Sequence, residues 1–321
     1  MTDRSNDRIR VANSRMKAPG DERNTWGHGI IQIMITRACD LACINCTQGS
    51  NLAGKPMIMS LPQFEEAVRS LKDYYGIVGI FGGNPCMHPK FADICNVLAE
   101  HIPYHRRGLW SNNLNGHGKL CRATFNPEVS NLNVHTSFEA YSEMLGDWPE
   151  CHPKGVHDSR HSPVFVAMKD LDIPFSEMWE LIQNCDINQL WSAMIGVFRG
   201  ELRAWFCEVA GAQSMLHENE PSYPDTGLKV TEHWWKLPIA SFTNQVMKHC
   251  FECSVPLKGM GDLAINGHVE QVSKTHEKIF HLKRANTRLI QVITRRDELG
   301  GEVEHATNYI ENGILFPMEN K

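Results

Sequence analysis

The 321 residues contain no apolar run approaching the roughly 20 needed to cross a bilayer. The opening stretch MTDRSNDRIR also lacks the hydrophobic core of a signal peptide, so a cytoplasmic location with no membrane partner is expected. An excess of positive charge is missing too. The net charge of −5 excludes a generally basic nucleic-acid binder and leaves room only for a local basic stripe. Internal repeats and low-complexity tracts are absent. With 42% hydrophobic and 21% charged residues, the composition is that of an ordinary globular protein. Its length suits one large domain, alone or with a smaller partner.

What is abundant is cysteine, with eleven residues. In a reducing compartment the default for thiols shifts from disulfides to metal ligands, reactive groups and buried small hydrophobes. Spacing has to decide among these.

Residues 1–26 are polar and aperiodic, and read as a loosely held arm. The run GIIQIMIT from Gly29 to Thr36 suits a strand buried on both faces. Ser60 and Gln63 match a capping box, followed by Phe64, Ala67, Val68 and Leu71 at helical spacing. Further strands are expected at Ile77–Phe81, Gly108–Trp110, Leu132–Val134 and Val164–Met168, with helices over Phe91–Ala99 and Phe175–Ile182. Apolar strands alternating with amphipathic helices imply βαβ units and a parallel sheet, an α/β domain over 27–190. Beyond it, Met194–Phe206 reads as two strands joined at Arg199-Gly200, and Asp262–Glu270 as a hairpin turning at Asn266-Gly267. Residues 191–321 are therefore expected to form a smaller, hairpin-rich unit.

Directly after the first strand comes Cys39-x3-Cys43-x2-Cys46. Three thiolates this close on a loop can face one metal centre, and three ligands on a 4Fe–4S cluster leave one iron open. Structural zinc prefers four closed ligands, and no fourth ligand stands nearby; three unrelated cysteines are the remaining alternative. The second strand runs into Gly82-Gly83-Asn84-Pro85, where glycines permit close backbone approach to a ligand.

The cysteine loop and the Gly82–Pro85 turn resemble the radical S-adenosylmethionine (SAM) superfamily. The resemblance implies a partial (β/α)6 TIM-like barrel. It also implies a 4Fe–4S cluster on Cys39, Cys43 and Cys46 whose open iron chelates SAM, and reductive cleavage of SAM to a 5′-deoxyadenosyl radical that abstracts hydrogen. A one-electron reductant such as flavodoxin or ferredoxin is the implied partner. Gly82, Gly83, Asn84 and Pro85 match the family's GGEP-like turn, which holds the SAM amino group. Two positions depart from the pattern. Asn84 replaces the usual acid, so its amide oxygen is expected to do the accepting, and Asn45 stands where an aromatic usually flanks the last cysteine. Ser111, Asn112 and Asn113 end the third predicted strand, and His135, Thr136 and Ser137 the fourth; polar strand ends suit ribose or substrate contacts at a barrel mouth, or are ordinary loop polarity.

Cys207 ends the first predicted hairpin, and Cys250-x2-Cys253 precedes the second. This resembles the twitch or SPASM extensions that hold an auxiliary 4Fe–4S cluster, with a fourth ligand from another residue or the substrate. Zinc completed by His249 or His276 is the rival reading, and buried thiols the plain one. Cys86, Cys95, Cys121, Cys151 and Cys185 have no partner spacing and are expected to pack in the core.

The phrase Cys46–Lys55 together with Asn84 is similar to a phage-associated group, some members of which rearrange an amino acid carried on the methyl carbon of thymidine in DNA. That resemblance implies an isomerase acting on a modified nucleotide in a host cytoplasm. Lys274, Lys278, Lys283, Arg284, Arg288, Arg295 and Arg296 make the C-terminal segment basic enough to track phosphates, or simply a solvated face. Peptide modification is the alternative, and a non-catalytic iron–sulfur or zinc binding protein the alternative of another class.

Overall fold

A computed structural model describes residues 29–52, 56–133, 141–151, 163–185, 187, 192–257, 269–283, 289–294, 305–311 and 314–317. The predicted N-terminal arm lies outside them. The first strand, β1 (Ile30–Thr36), is buried along nearly its whole length, as its unbroken apolar run requires. Ser60 then caps α1 (Leu61–Ser70), its hydroxyl accepting the Gln63 N–H while the Gln63 side chain reaches back to the Ser60 N–H. Such a cap is worth about 1 kcal/mol. It aims Phe64, Ala67 and Val68 into the core.

Successive βα steps follow in β2 (Ile77–Gly82), α2 (Phe91–His101), β3 (Arg107–Ser111), α3 (Gly118–Thr124) and β4 (Asn131–Leu132). Short α4 (Ser142–Asp147) and α5 (Phe175–Gln183) precede β5 (Ser192–Phe198), and β6 (Glu201–Trp205) leads to α6 (Glu208–Leu216), β7 (Leu228–Lys229) and α7 (Thr243–His249). The seven-stranded sheet has the order β4-β3-β2-β1-β5-β6-β7. The run β4-β3-β2-β1-β5 is parallel, and β6 and β7 add antiparallel. The fold is a mixed α/β architecture with a mostly parallel sheet. Among the described residues five strands run parallel, where the barrel expectation has six.

Two sequence expectations change. The turn at Arg199-Gly200 forms as read, with both residues at positive φ (51° and 83°). However, β5 pairs parallel with β1, from Ile30↔Ser192 to Ile33↔Ile195, so the hairpin after residue 190 lies in the same sheet as the strands before it. The apolar run Val164–Met168 is no strand. It is buried but irregular, ending in a 3-10 turn from Met168. Its backbone is satisfied elsewhere: the Ser273 N–H donates to the Phe165 carbonyl, and the Ala167 N–H to the Ser273 hydroxyl. Burial without a ladder partner produces an apolar run that periodicity alone misreads.

The C-terminal unit holds β8 (Val269–Val272), α8 (Lys274–Lys283), β9 (Leu289–Ile293), β10 (His305–Glu311) and β11 (Ile314–Pro317), in a four-stranded sheet ordered β11-β10-β9-β8. Here β8 runs parallel to β9, while the predicted Asn266-Gly267 turn lies outside the described residues. One hydrophobic core joins both sheets, from Ile31 and Ile33 of β1 to Val272 and Ile290. No helix among the described residues is long and apolar enough to cross a membrane.

Candidate functional site

The loop after β1 carries Cys39, Cys43 and Cys46, and all three line one cavity of about 370 Å³. Gly82, Gly83, Ser111 and Asn112 line the same cavity from the ends of β2 and β3. The parallel pairing of β1 with β2 and of β2 with β3 is what aligns these strand ends. Burial pushes the Cys39 thiol up to about 11, against the N–H of Leu41, which donates to its sulfur at 3.5 Å. A thiol in that state needs a positive partner to become a ligand.

The two glycines also make a close approach within the protein. The Gly83 N–H donates to the Thr36 carbonyl (3.0 Å) and the Asn84 N–H to the Ala38 carbonyl (2.6 Å). A Cβ on Gly82 would lie 2.0 Å from the Thr36 oxygen, and one on Gly83 2.4 Å from the Ala38 oxygen. The close approach is to the backbone that launches the cysteine loop, so the two glycines dock this turn against that loop.

Asn84 joins this turn to the cysteine loop. Its Oδ1 accepts from the Cys86 N–H at 3.0 Å, and Ser111 Oγ, whose shorter acceptor is the Asn113 carbonyl (2.8 Å), stands 3.1 Å from it. Its amide donates instead to Asp40 Oδ1 at 3.1 Å. The amides of Asn112 (2.9 Å) and Asn113 (3.2 Å) converge on the same carboxylate. Burial raises the Asp40 carboxyl, but these three amides together with its own backbone N–H outweigh it and hold the group below its ordinary value. The cysteine loop supplies this carboxylate, and the strand ends supply the amides.

Asn45 takes the left-handed conformation (φ 53°) and is buried by the C-terminal unit. Its N–H donates to Glu270 Oε2 (3.0 Å), its amide to Gln271 Oε1 (2.7 Å), and its Oδ1 accepts the Gln271 N–H (2.9 Å). The place of the missing aromatic is thus taken by a polar clasp onto β8. Ser137, His135 and Thr136 lie outside the described residues. Pro85 is buried in the 3-10 turn after β2 and does not line the cavity.

Sequence reading missed the far wall. Gln32 of β1, Ser192 of β5 and Glu208 of α6 meet there: Ser192 Oγ donates to Glu208 Oε2 at 2.8 Å, and the Gln32 amide donates to the same oxygen. Burial raises the Glu208 carboxyl, and these two hydrogen bonds only partly offset it. No spacing in the chain links residues 32, 192 and 208. Only the β1–β5 pairing does.

A second, apolar cavity is lined by Cys207, Cys250 and Cys253, the set read from the sequence, together with Cys185. Cys185 stands alone in sequence, two residues past α5, where packing in the core is the expectation. Burial drives Cys207 well above its ordinary value and Cys253 to about 12, with Cys185 adding like charge to both. His249 also lines this cavity, but both ring nitrogens are engaged. Nε2 pairs with Ser214 (3.0 Å) and Thr226 (2.9 Å), and Nδ1 with Gln213 (3.1 Å). His276 Nε2 is held on the Glu252 carbonyl at 2.7 Å. Among the described residues no three Cys, His, Asp or Glu groups converge closely enough to hold a single metal ion. Single-ion zinc needs such convergence, with sulfurs at about 2.3 Å from the metal; a cubane spreads its thiolates over four iron atoms. Cys86, Cys95, Cys121 and Cys151 are buried in the core, as expected.

A family model described as the Radical SAM superfamily matches residues 33–209. Among curated proteins no sequence matches. The chain is similar to a solved structure of BtrN in complex with AdoMet and 2-DOIA, with 15% identity and a TM-score of 0.45. That alignment covers 70% of this chain and 92% of that one.

Proposed function

Because this chain belongs to the radical SAM superfamily, we propose that Cys39, Cys43 and Cys46 hold its 4Fe–4S cluster and that the cavity they line binds SAM. The observation that carries this reading is the meeting of all three thiols with Gly82 and Gly83 on one cavity wall. When bound, the cluster supplies the electron that cleaves SAM to methionine and a 5′-deoxyadenosyl radical. The protein's part is placement. Asp40 and its three amides hold the cysteine loop to the ends of β2 and β3, and Asn45 holds it to β8.

A second 4Fe–4S cluster in the apolar cavity is supported by the four thiols gathered there. We assign Cys185 as the ligand that joins Cys207, Cys250 and Cys253, a four-thiolate set that leaves no iron for the substrate. Burial that disfavours bare thiolates there is offset once iron coordinates them.

The substrate we propose is an amino-acid-modified thymidine in phage DNA, rearranged by the radical. The similarity of Cys46–Lys55 and Asn84 to the phage-associated group supports it, and so does Glu208. Among the described residues lining the cavity, Glu208 is the single carboxyl, suited to receive the ammonium of an amino acid. Of the basic C-terminal residues, Lys274 and Lys278 are exposed on α8.

The test is anaerobic reconstitution with iron and sulfide, followed by dithionite and SAM. About eight irons per chain with 5′-deoxyadenosine supports both clusters, about four supports the first alone, and intact SAM overturns the assignment. Binding to DNA should fall steeply with salt and weaken in Lys274→Ala/Lys278→Ala. Binding insensitive to both would turn the substrate reading toward peptides.

A further inference from the structure

The polar side chains lining the cavity of the three cysteines fall into two groups. In the first, Ser192 Oγ and the Gln32 amide bond to Glu208, Ser111 Oγ to the Asn113 carbonyl, and the Asn112 amide to Asp40. Gln48 and Ser50 belong to the second. Both line the cavity just beyond Cys46, and each is only 8% exposed. Gln48 Oε1 and Ser50 Oγ nonetheless have no hydrogen-bond partner among the described residues. Asn131 Oδ1, on β4, is a third such atom on the lining, on a half-buried residue.

Buried polar atoms without a partner are rare in native proteins, and each calls for an explanation. Loose placement is not the explanation here. Arg37 Nη2 donates to the Gln48 and Gly49 carbonyls, both at 3.0 Å, and the Gly49 N–H donates to the Cys46 carbonyl at 2.9 Å. Gly49 takes the left-handed conformation (φ 55°) and packs against Leu216 at the end of α6, where a Cβ would come within 3.0 Å of that side chain. The backbone carrying both side chains is thus fixed by Arg37, by the cysteine loop and by α6. The amide of a glutamine still turns about its last torsion, which is broad, so it meets a ligand without leaving its rotamer.

We propose that Gln48 and Ser50 read the hydrogen-bonding edge of a nucleobase bound in this cavity. This rests on the reading of the cavity as the site of SAM and its substrate. A primary amide offers an acceptor and a donor side by side, the complement of the adjacent donor and acceptor on a base edge. The Ser50 hydroxyl adds a group that both donates and accepts. Two ligands of the proposed reaction carry such an edge, SAM through its adenine and a nucleotide substrate through its pyrimidine. The chemistry recognised is the same in both.

The full chain, reconstituted anaerobically, is compared as wild type, Gln48→Leu and Ser50→Ala for equilibrium binding of SAM and, separately, of thymidine. A loss on the order of tenfold in affinity for one of the two is expected, and the ligand affected identifies the base. Analogues lacking the edge donor separate this contact from others on the same ligand: SAM with purine in place of adenine, and 3-deazathymidine. Wild type should bind the relevant analogue less well than the parent, while Gln48→Leu should bind the two alike. A second readout needs no ligand. Because Gln48 Oε1 and Ser50 Oγ have no partner within the protein, neither substitution should lower the melting temperature of the ligand-free chain. A lower melting temperature in both variants overturns the proposal, as does unchanged affinity for both ligands or equal discrimination against the analogue in wild type and Gln48→Leu. Should Gln48→Leu fail to fold, Ser50→Ala and the wild-type analogue comparison decide. A wild type that binds neither SAM nor thymidine would instead sink the reading of the cavity, and this inference with it.

Discussion

The amide of Asn84 donates to Asp40 Oδ1 at 3.1 Å, tying the end of β2 to the residue directly after the first cysteine of the loop. Asp40 also gathers the amides of Asn112 and Asn113, so one carboxylate registers the loop against two strand ends. Hydrogen bonds to a charged acceptor are stronger than neutral ones, about 1.5–3 kcal/mol each when well formed, and less at an exposed site such as this.

Asp40→Ala should therefore weaken SAM binding on the order of fivefold while iron content is retained, as read by equilibrium dialysis on reconstituted protein. The pH dependence has a definite sign. A carboxyl whose folded value is depressed stabilises the fold above its unfolded value, near 4, and loses that contribution as pH falls through the folded value. The stability gap between wild type and Asp40→Ala should thus narrow below about pH 4. A gap constant across that range would remove the carboxylate from the account.

Two glycines separate crowding from conformation. Gly83→Ala places a Cβ 2.4 Å from the Ala38 oxygen, so the turn must pull away from the cysteine loop. Gly200 sits at φ +83° with open space around it, so Gly200→Ala meets only backbone strain of about 1 kcal/mol. Loss of SAM binding is expected for Gly83→Ala and a small fall in melting temperature alone for Gly200→Ala. Equal behaviour of the two would show that the close approach is unimportant.

Asn45 can be dissected in the same way. Asn45→Gly removes two side-chain hydrogen bonds to Gln271 without burdening the left-handed backbone, whereas Asn45→Ala adds that strain. Denaturant unfolding should show about 2 kcal/mol lost in Asn45→Gly and about 1 kcal/mol more in Asn45→Ala. Little change in either would mean that β8 does not clasp the loop in solution.

The two cysteine sets should part company on iron and product. Alanine at Cys39, Cys43 or Cys46 should abolish 5′-deoxyadenosine formation. Alanine at Cys185, Cys207, Cys250 or Cys253 should lower the iron count by up to about four while SAM cleavage persists. If Cys185→Ala alone kept all its iron, the fourth ligand would have to be sought elsewhere.

Local chemistry made much of this molecule readable from the chain. The unbroken apolar run of β1, the capping box of α1 and the positive-φ turn at Arg199-Gly200 are set by interactions within a few residues, so their signals survive without a fold. The three loop cysteines belong to that class, since eight consecutive positions contain the whole set. What needed the tertiary structure was every relation across the sheet. The parallel pairing of β1 with β5 brings Gln32, Ser192 and Glu208 together across more than half the chain, and it places the later hairpin in the first sheet. The same holds for Cys185, whose neighbours are spatial, and for Asn45, whose partners come from β8. Asn84 shows the reason most directly. From the chain alone its neighbours are invisible, and only the packing of β3 beside β2 sets Ser111 Oγ 3.1 Å from its oxygen.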